Sequence, residues 1–232
     1  MVVVPTYNER DNIAVLIPQL LATTPTLRVV IVDDNSPDGT GLLADQLAGR
    51  HPGRIDVIHR ETKEGIGPAY VAGFTLALAQ STDLIAQMDA DLSHSPAQLA
   101  DLIAATATAD IAIGSRYVKG GRTVGWPAHR RIISRAGGTY ARLVLGVSVS
   151  DLTGGFKVFR RAALASIDLG AIRSDGYAFQ IEMTRRALDR GFTVREVPIT
   201  FTDRVAGKSK LSRRIVAEAV VMVWRLRFER RR

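Results

Sequence analysis

Residues 83–96 read DLIAQMDADLSHSP, a short apolar run that ends in two aspartates one residue apart. The run up to Met88 has the length and composition of a buried strand. Asp89 and Asp91 then stand just past its tip, where two carboxylates repel each other and neither suits a core. Carboxylates at i and i+2 beyond a strand end lie close enough to share a divalent cation, and a hard, oxygen-liganded ion such as Mg²⁺ or Mn²⁺ would cancel their repulsion. Such an ion commonly takes one or two carboxylates and completes its shell with water and phosphate oxygens, so a diphosphate is its natural companion. Taken alone, the same residues also read as a polar turn, with Ser93 or Ser95 capping a helix and Pro96 near its first position.

The neighbouring sequence repeats the pattern. Val- and Ile-rich runs occur at 2–4 (VVV), 28–32 (RVVIV), 55–59 (IDVIH), 83–88 (DLIAQM) and 110–114 (DIAIG). Between them lie DNIAVLIPQLL, GLLADQLAG, GPAYVAGFTLALAQ and PAQLADLIAAT, each with apolar residues three and four apart. Strand and helix alternate five times, which predicts an α/β fold on a doubly wound parallel sheet. Pro18, inside the first helical pattern, predicts a kink or a division there. Ligands of such sheets bind beyond the carboxyl ends of the strands. The residues found there are PTYNE after the first strand, DDNSPDGT after the second, DADLSH after the fourth and SRYVKGG after the fifth.

With 232 residues and 46% hydrophobic content, the chain can bury one substantial core, and a single domain over 1–232 is expected. The absence of cysteine removes disulfides, thiolate metal sites and thiol nucleophiles. The opening MVVVPTYNER has no basic leader, so no signal peptide is expected, and the first strand reads as short or incomplete. No run approaches the roughly 18–20 apolar residues of a spanning helix, so no transmembrane domain is expected.

The net charge of +8 is a property of the tail: from Arg204 onward ten Lys and Arg face two Glu, whereas the first 203 residues carry 21 of each sign. Within that balanced part, residues 1–109 hold six basic and thirteen acidic groups, and 110–203 hold fifteen and eight. An acidic half suited to a cation meets a basic half suited to phosphate. Residues 204–232 read as a basic amphipathic segment, in which Ile215 to Trp224 carries only Glu218 as a charge and arginines flank both sides. It could lie along an anionic membrane surface, pack on the domain, or pair with a separate membrane-anchoring subunit. GIGPAY at 65–70 lacks the last glycine of a dinucleotide fingerprint, and no RNA-binding or finger motif accompanies the tail. Neither a nicotinamide oxidoreductase nor a nucleic-acid partner is therefore expected.

VVVPTYNE, VVIVDDNSPDGT, KEGIGPAYVAGF, LIAQMDADLSHSP, IGSRYVKGG and DLTGGFKVFRR together resemble the GT-A fold glycosyltransferases of family 2. WPAHRRIIS, SDGYAFQIE and GKSKL narrow the resemblance to the polyprenol-phosphate (dolichol-phosphate) mannosyltransferases, which move mannose from GDP-mannose to a polyprenyl phosphate. The resemblance implies a Rossmann-like GT-A fold with a mostly parallel central sheet flanked by helices. It assigns Pro5, Tyr7 and Glu9 to one nucleotide-binding loop, and Val32, Asp33 and Asp34 to a second. Gln87, Asp89, Ala90 and Asp91 fall in the substrate-binding D-x-D region, with Asp89 and Asp91 as ligands of Mg²⁺ or Mn²⁺. Some relatives have Gln where this chain has Ser93, a shorter hydroxyl that ligates a metal less readily.

The resemblance further implies that Arg116 reaches the phosphates, that Arg130 and Ser134 hold the acceptor phosphate, and that Lys208 closes over the diphosphate. Arg130 and Ser134 are four residues apart and so share a helix face. Asp91, Arg116 and Arg130 are the expected catalytic residues. A phosphomonoester, with a second pKa of about 6, needs no general base, so His94 and His129 are expected to be supporting or solvent-facing. The implied reaction is one inverting displacement, by an enzyme peripheral on the cytoplasmic face of a membrane. UDP-glucose as donor, or a nucleotide-binding module without turnover, are the alternatives.

Overall fold

The computed structural model describes residues 1–203 and 213–228. Lys208 lies outside them. The chain runs β1 (Val2–Thr6), α1 (Arg10–Thr23), β2 (Val29–Asp33), α2 (Thr40–Arg50), β3 (Ile55–His59), α3 (Ile66–Ala79), β4 (Leu84–Gln87), a 3-10 turn (Pro96–Gln98), α4 (Leu99–Ala105) and β5 (Ile111–Ser115). It continues through β6 (Arg122–Val124), α5 (Ala128–Leu145), β7 (Lys157–Arg160), α6 (Arg161–Ser166), a second 3-10 turn (Leu169–Ala171), α7 (Gly176–Asp189), β8 (Val194–Pro198), β9 (Thr200–Thr202) and α8 (Arg213–Phe228).

Seven strands form one sheet in the order β3-β2-β1-β4-β7-β5-β8, and β6 and β9 make a small parallel pair. β7 is antiparallel to β4 and β5; the other pairs of the large sheet are parallel. The sheet is therefore mostly parallel. Alternation along the buried strands divides the core between its faces. Val3, Val30, Val32 and Ile85 pack with α3, α5 and α7, while Val2, Val4, Val29 and Ile31 pack with α1, α2 and α4. α1 is a single helix despite Pro18, which lies on its exposed face. The hydrogen bond lost there frees the exposed Ala14 carbonyl to water, while Ile13, Leu16, Ile17 and Leu20 anchor both halves to the core.

Strand order reverses between β1 and β4, so the crevice beyond their carboxyl ends is the topological switch point. Sequence helps to open it. β1 and β4 pair only through Val2↔Ala86 and Val3↔Gln87, with Met88 N–H donating to Val3. The next rung would need an N–H that Pro5 lacks, and the ladder stops.

β7 is tied to α7 by a buried lysine. Lys157 is fully buried, and its Nζ donates to the Gln180 carbonyl (2.8 Å) and the Thr184 hydroxyl (2.9 Å). Burial lowers its pKa to about 7, against the opposing pull of Asp151. An unfolded lysine titrates near 10.4, so between pH 7 and 10 the unfolded chain binds more protons and stability rises with pH; below about 7 the burial penalty is present in full. Between pH 7 and 9 the gain is on the order of 2 kcal/mol. Urea denaturation of the parent and Lys157→Met at both pH values is expected to show a gain larger by that amount in the parent, above the smaller rise that the buried Met1 amine gives both. Equal pH dependence in the two proteins would refute the assignment.

Candidate active site

At the switch point the loops after β1, β2 and β4 meet the loop ahead of β7 and the N-termini of α3 and α7 around a cavity of about 290 Å³. Pro5, Tyr7, Glu9, Asp34, Asp89, Ala90 and Asp91 line it. So do Lys63, Gly155, Asp175, Tyr177 and Gln180, which the sequence reading did not single out. Each of the three strand-end loops holds a non-glycine residue at positive φ: Asn8 (59°), Asn35 (57°) and Leu92 (60°). Asparagine tolerates this region; a bulky residue such as Leu92 is strained there, between Asp91 and Ser93.

The adjacent aspartates at the end of β2 have different partners. Asp33 accepts from the Thr6 hydroxyl (3.1 Å) and from Ser36 N–H (3.1 Å), bracing the β1 and β2 loops against each other, and it does not line the cavity. Asp34 lines the cavity, forms a close ion pair with Arg60 and accepts from Gly65 N–H (3.4 Å). Val32 and Gln87 are fully buried beneath the site; the Gln87 amide donates to the Gly155 carbonyl (3.0 Å) and to Gln180 Oε1 (2.6 Å). Lys63 Nζ stands 3.5 Å from the centroid of the Tyr7 ring, so one face of that ring already carries a cation.

The surroundings of the D-x-D carboxylates suit a divalent cation. Both line the cavity, Asp91 at 6% exposure. Asp91 Oδ1 accepts from Ser93 N–H (3.1 Å), so Ser93 supports that carboxylate through its backbone. Asp89 Oδ1 accepts from the Tyr70 phenol (2.9 Å). Burial, and then the Asp89 charge, push the Tyr70 pKa well up, which keeps it a donor. A Cβ at Gly155 would sit 2.9 Å from Asp89 Oδ2, so only glycine leaves that oxygen room. Among the described residues no cluster of three or more His, Asp or Glu converges, so protein ligands beyond Asp89 and Asp91 are not supplied here. His94 is buried at 2% exposure, and burial lowers its pKa against the pull of Asp89 and Asp91; His129 is exposed.

A second cavity, of about 120 Å³, shares the Thr153 and Tyr177 walls with the first. Arg130 and Ser134 of α5 line it with Trp126, and Ile133, Ala141, Ile181, Val220 and Val223 make it largely apolar. The Ser134 hydroxyl hydrogen-bonds the Tyr117 phenol (2.6 Å), and Arg130 donates to Asp203 (2.8 Å). Arg116 lines neither cavity. It donates through Nε and Nη2 to the fully buried Asp151 (2.8 and 2.7 Å) and through Nη2 to Thr153 (2.9 Å). Burial alone would lower the Arg116 pKa and raise that of Asp151; their mutual attraction outweighs it in both, holding the pair charged.

Residues 1–168 match the model of glycosyl transferase family 2. The chain is 47% identical over 230 residues to a polyprenol monophosphomannose synthase of Mycolicibacterium smegmatis, covering 98% of this chain and 87% of that protein. It is also 47% identical over 225 residues to an undecaprenyl-phosphate mannosyltransferase of Micrococcus luteus, covering 97% and 92%. Glucosyl-3-phosphoglycerate synthase of Mycobacterium tuberculosis, solved with Mn²⁺, UDP and glucosyl-3-phosphoglycerate, superposes with a TM-score of 0.71 at 19% identity, covering 97% of this chain and 78% of that one. Its complex with Mg²⁺ and UDP gives 0.70 at 19% identity, with the same coverage. These structures share the fold.

Proposed function

The chain belongs to glycosyl transferase family 2, and on that premise we propose that it transfers mannose from GDP-mannose to the phosphate of a polyprenyl lipid. The observation that carries this reading is the confluence of two unlike cavities at Thr153 and Tyr177. One is acidic and lies at the switch point, fit for a metal-bound nucleoside diphosphate sugar. The other is apolar with an arginine and a serine one helical turn apart, fit for a phosphate on a hydrocarbon chain.

Tyr7, Glu9 and Asp34 take the base and ribose end, with Val32 and Asp33 supporting them from beneath. Asp89 and Asp91 would hold Mg²⁺ or Mn²⁺, which would supply positive charge to the diphosphate and so favour its departure. Arg130 and Ser134 orient the acceptor phosphate, and Arg116, neutralised by Asp151, braces Thr153 on the wall that the two cavities share. A phosphate oxygen attacks the anomeric carbon while the bond to the diphosphate breaks and its electron pair leaves with GDP. The acceptor is already anionic near neutral pH, so no side chain has to remove a proton. One in-line displacement inverts the anomeric centre, giving a β-linked product from an α-linked donor. The work of the protein is alignment and charge screening.

Among the described residues no helix is long and apolar enough to cross a membrane. α8 packs on α5 and α7, with Val223 and Leu226 buried. Ile132 and Leu143 of α5, and Val221, Trp224 and Phe228 of α8, are exposed. We assign these side chains to a peripheral contact with the cytoplasmic face of the membrane, where the acceptor resides, directly or beside a separate anchoring subunit.

The test incubates purified protein with a short-chain polyprenyl phosphate and either GDP-mannose or UDP-glucose, with Mn²⁺ or with EDTA. Transfer of mannose from GDP-mannose, abolished by EDTA, is expected. Comparable transfer from UDP-glucose would overturn the donor assignment, and nucleotide binding without transfer to any acceptor would overturn the enzymatic reading.

A further inference from the structure

We propose that Trp126 is part of the acceptor-phosphate site: its ring face fixes Arg130, and its indole N–H donates to the phosphate. The inference rests on the reading of the apolar groove as the acceptor site.

Trp126 lies in the loop between β6 and α5, lines the groove and is 8% exposed. The Arg130 guanidinium carbon is 4.1 Å from its ring centroid, and that of Arg116 is 5.5 Å away. Phe201 of β9 packs edge-on against the ring, centroids 5.4 Å apart. Two guanidiniums near one ring repel each other, and the attraction of each for the ring's π-system offsets part of that cost.

The two cations are not held alike. Arg116 makes a bidentate pair with an aspartate of 0% side-chain exposure, whereas Arg130 makes one hydrogen bond to Asp203, with side chains 19% and 35% exposed. Arg130 is thus the one whose anion can exchange. A phosphate dianion outcompetes a single, partly hydrated carboxylate contact, and while the anions change over, the indole face holds the guanidinium plane in place. The indole nitrogen supplies an independent observation: Trp126 Nε1 is buried without a hydrogen-bond partner among the described residues. A buried donor left unmet is costly, and a phosphate oxygen in this groove would satisfy it.

The test compares Trp126→Phe, which keeps a ring face and removes the N–H, with Trp126→Leu, which removes both, and with Arg130→Ala as the reference. Trp126→Phe is expected to raise KM for a short-chain polyprenyl phosphate roughly 10-fold, and Trp126→Leu on the order of 100-fold. The calorimetric Kd for GDP should be unchanged in both. Trp126→Leu combined with Arg130→Ala should be little worse than Arg130→Ala alone, because the two side chains act as one unit. If Arg130→Ala raises the acceptor KM and neither Trp126 variant does, the role of Trp126 is refuted and the groove reading stands. If Arg130→Ala weakens GDP and leaves the acceptor KM unchanged, the groove reading itself fails. A parallel loss of melting temperature, GDP affinity and kcat in Trp126→Phe would reduce the residue to a packing role and overturn the proposal.

Discussion

Asp91→Asn is expected to lower mannosyl transfer by roughly a thousandfold while leaving the fold intact. Within its own loop Asp91 accepts a hydrogen bond from Ser93 N–H, and an asparagine carbonyl can accept it equally well. Removing one of two neighbouring negative charges also relieves their repulsion, so the metal-free variant should stay folded. What the substitution takes away is a charged oxygen ligand, and a hard cation discriminates strongly between carboxylate and amide. Melting curves separate these effects: Mn²⁺ with GDP should raise the melting temperature of the parent and not of the variant. Parental turnover by Asp91→Asn across Mg²⁺ and Mn²⁺ concentrations would show that the metal lies elsewhere.

Asp151→Ala is expected to cost about 3–5 kcal/mol of stability, because it strands a guanidinium inside the protein. Arg116 is 7% exposed and donates to Asp151 through its backbone N–H as well as through Nε and Nη2. Asp203→Asn, at a partly exposed pair, should cost less than about 1 kcal/mol. Urea denaturation distinguishes the two. Replacing both partners of the buried pair, as Arg116→Met with Asp151→Leu, should recover much of the stability and none of the activity. A loss below about 1 kcal/mol for Asp151→Ala would mean that the pair is more hydrated than its burial indicates.

The first half of the fold was legible because its strands are buried on both faces and read as continuous Val and Ile runs, and β1 to β5 lie at or within a residue or two of those runs. The second half carries weaker signals. β7 is four residues long and begins with a lysine, and nothing local to GGFKVFRR says that it inserts antiparallel between β4 and β5. The site divides in the same way. Pro5 at the end of β1, and Tyr7, Glu9, Asp34, Asp89, Ala90 and Asp91 just past strand ends, stand where topology predicts a ligand, and they line one cavity. Lys63, Gly155 and Asp175 come from connections, and Tyr177 from the first turn of α7, whose approach depends on tertiary packing, so their motifs were visible and their individual roles were not. Asp33 and Asp34 are indistinguishable as residue types; strand geometry sends their side chains to different partners.

The antiparallel strand in the middle of the sheet also bears on how the chain is made. β4 is an apolar strand whose second neighbour comes much later in the sequence: 68 residues separate Gln87 from the Gly155 carbonyl that it binds. At a synthesis rate of about 5–20 residues per second, the ribosome leaves that edge uncovered for roughly 3 to 14 s. Ile85 and Ala86 meanwhile offer unpaired backbone to any passing strand. The interval between the emergence of β4 and that of β7 is therefore when the nascent sheet is most exposed to mispairing. A chain truncated shortly after β5 would keep the acidic cavity wall from the first three loops and still aggregate through that open edge.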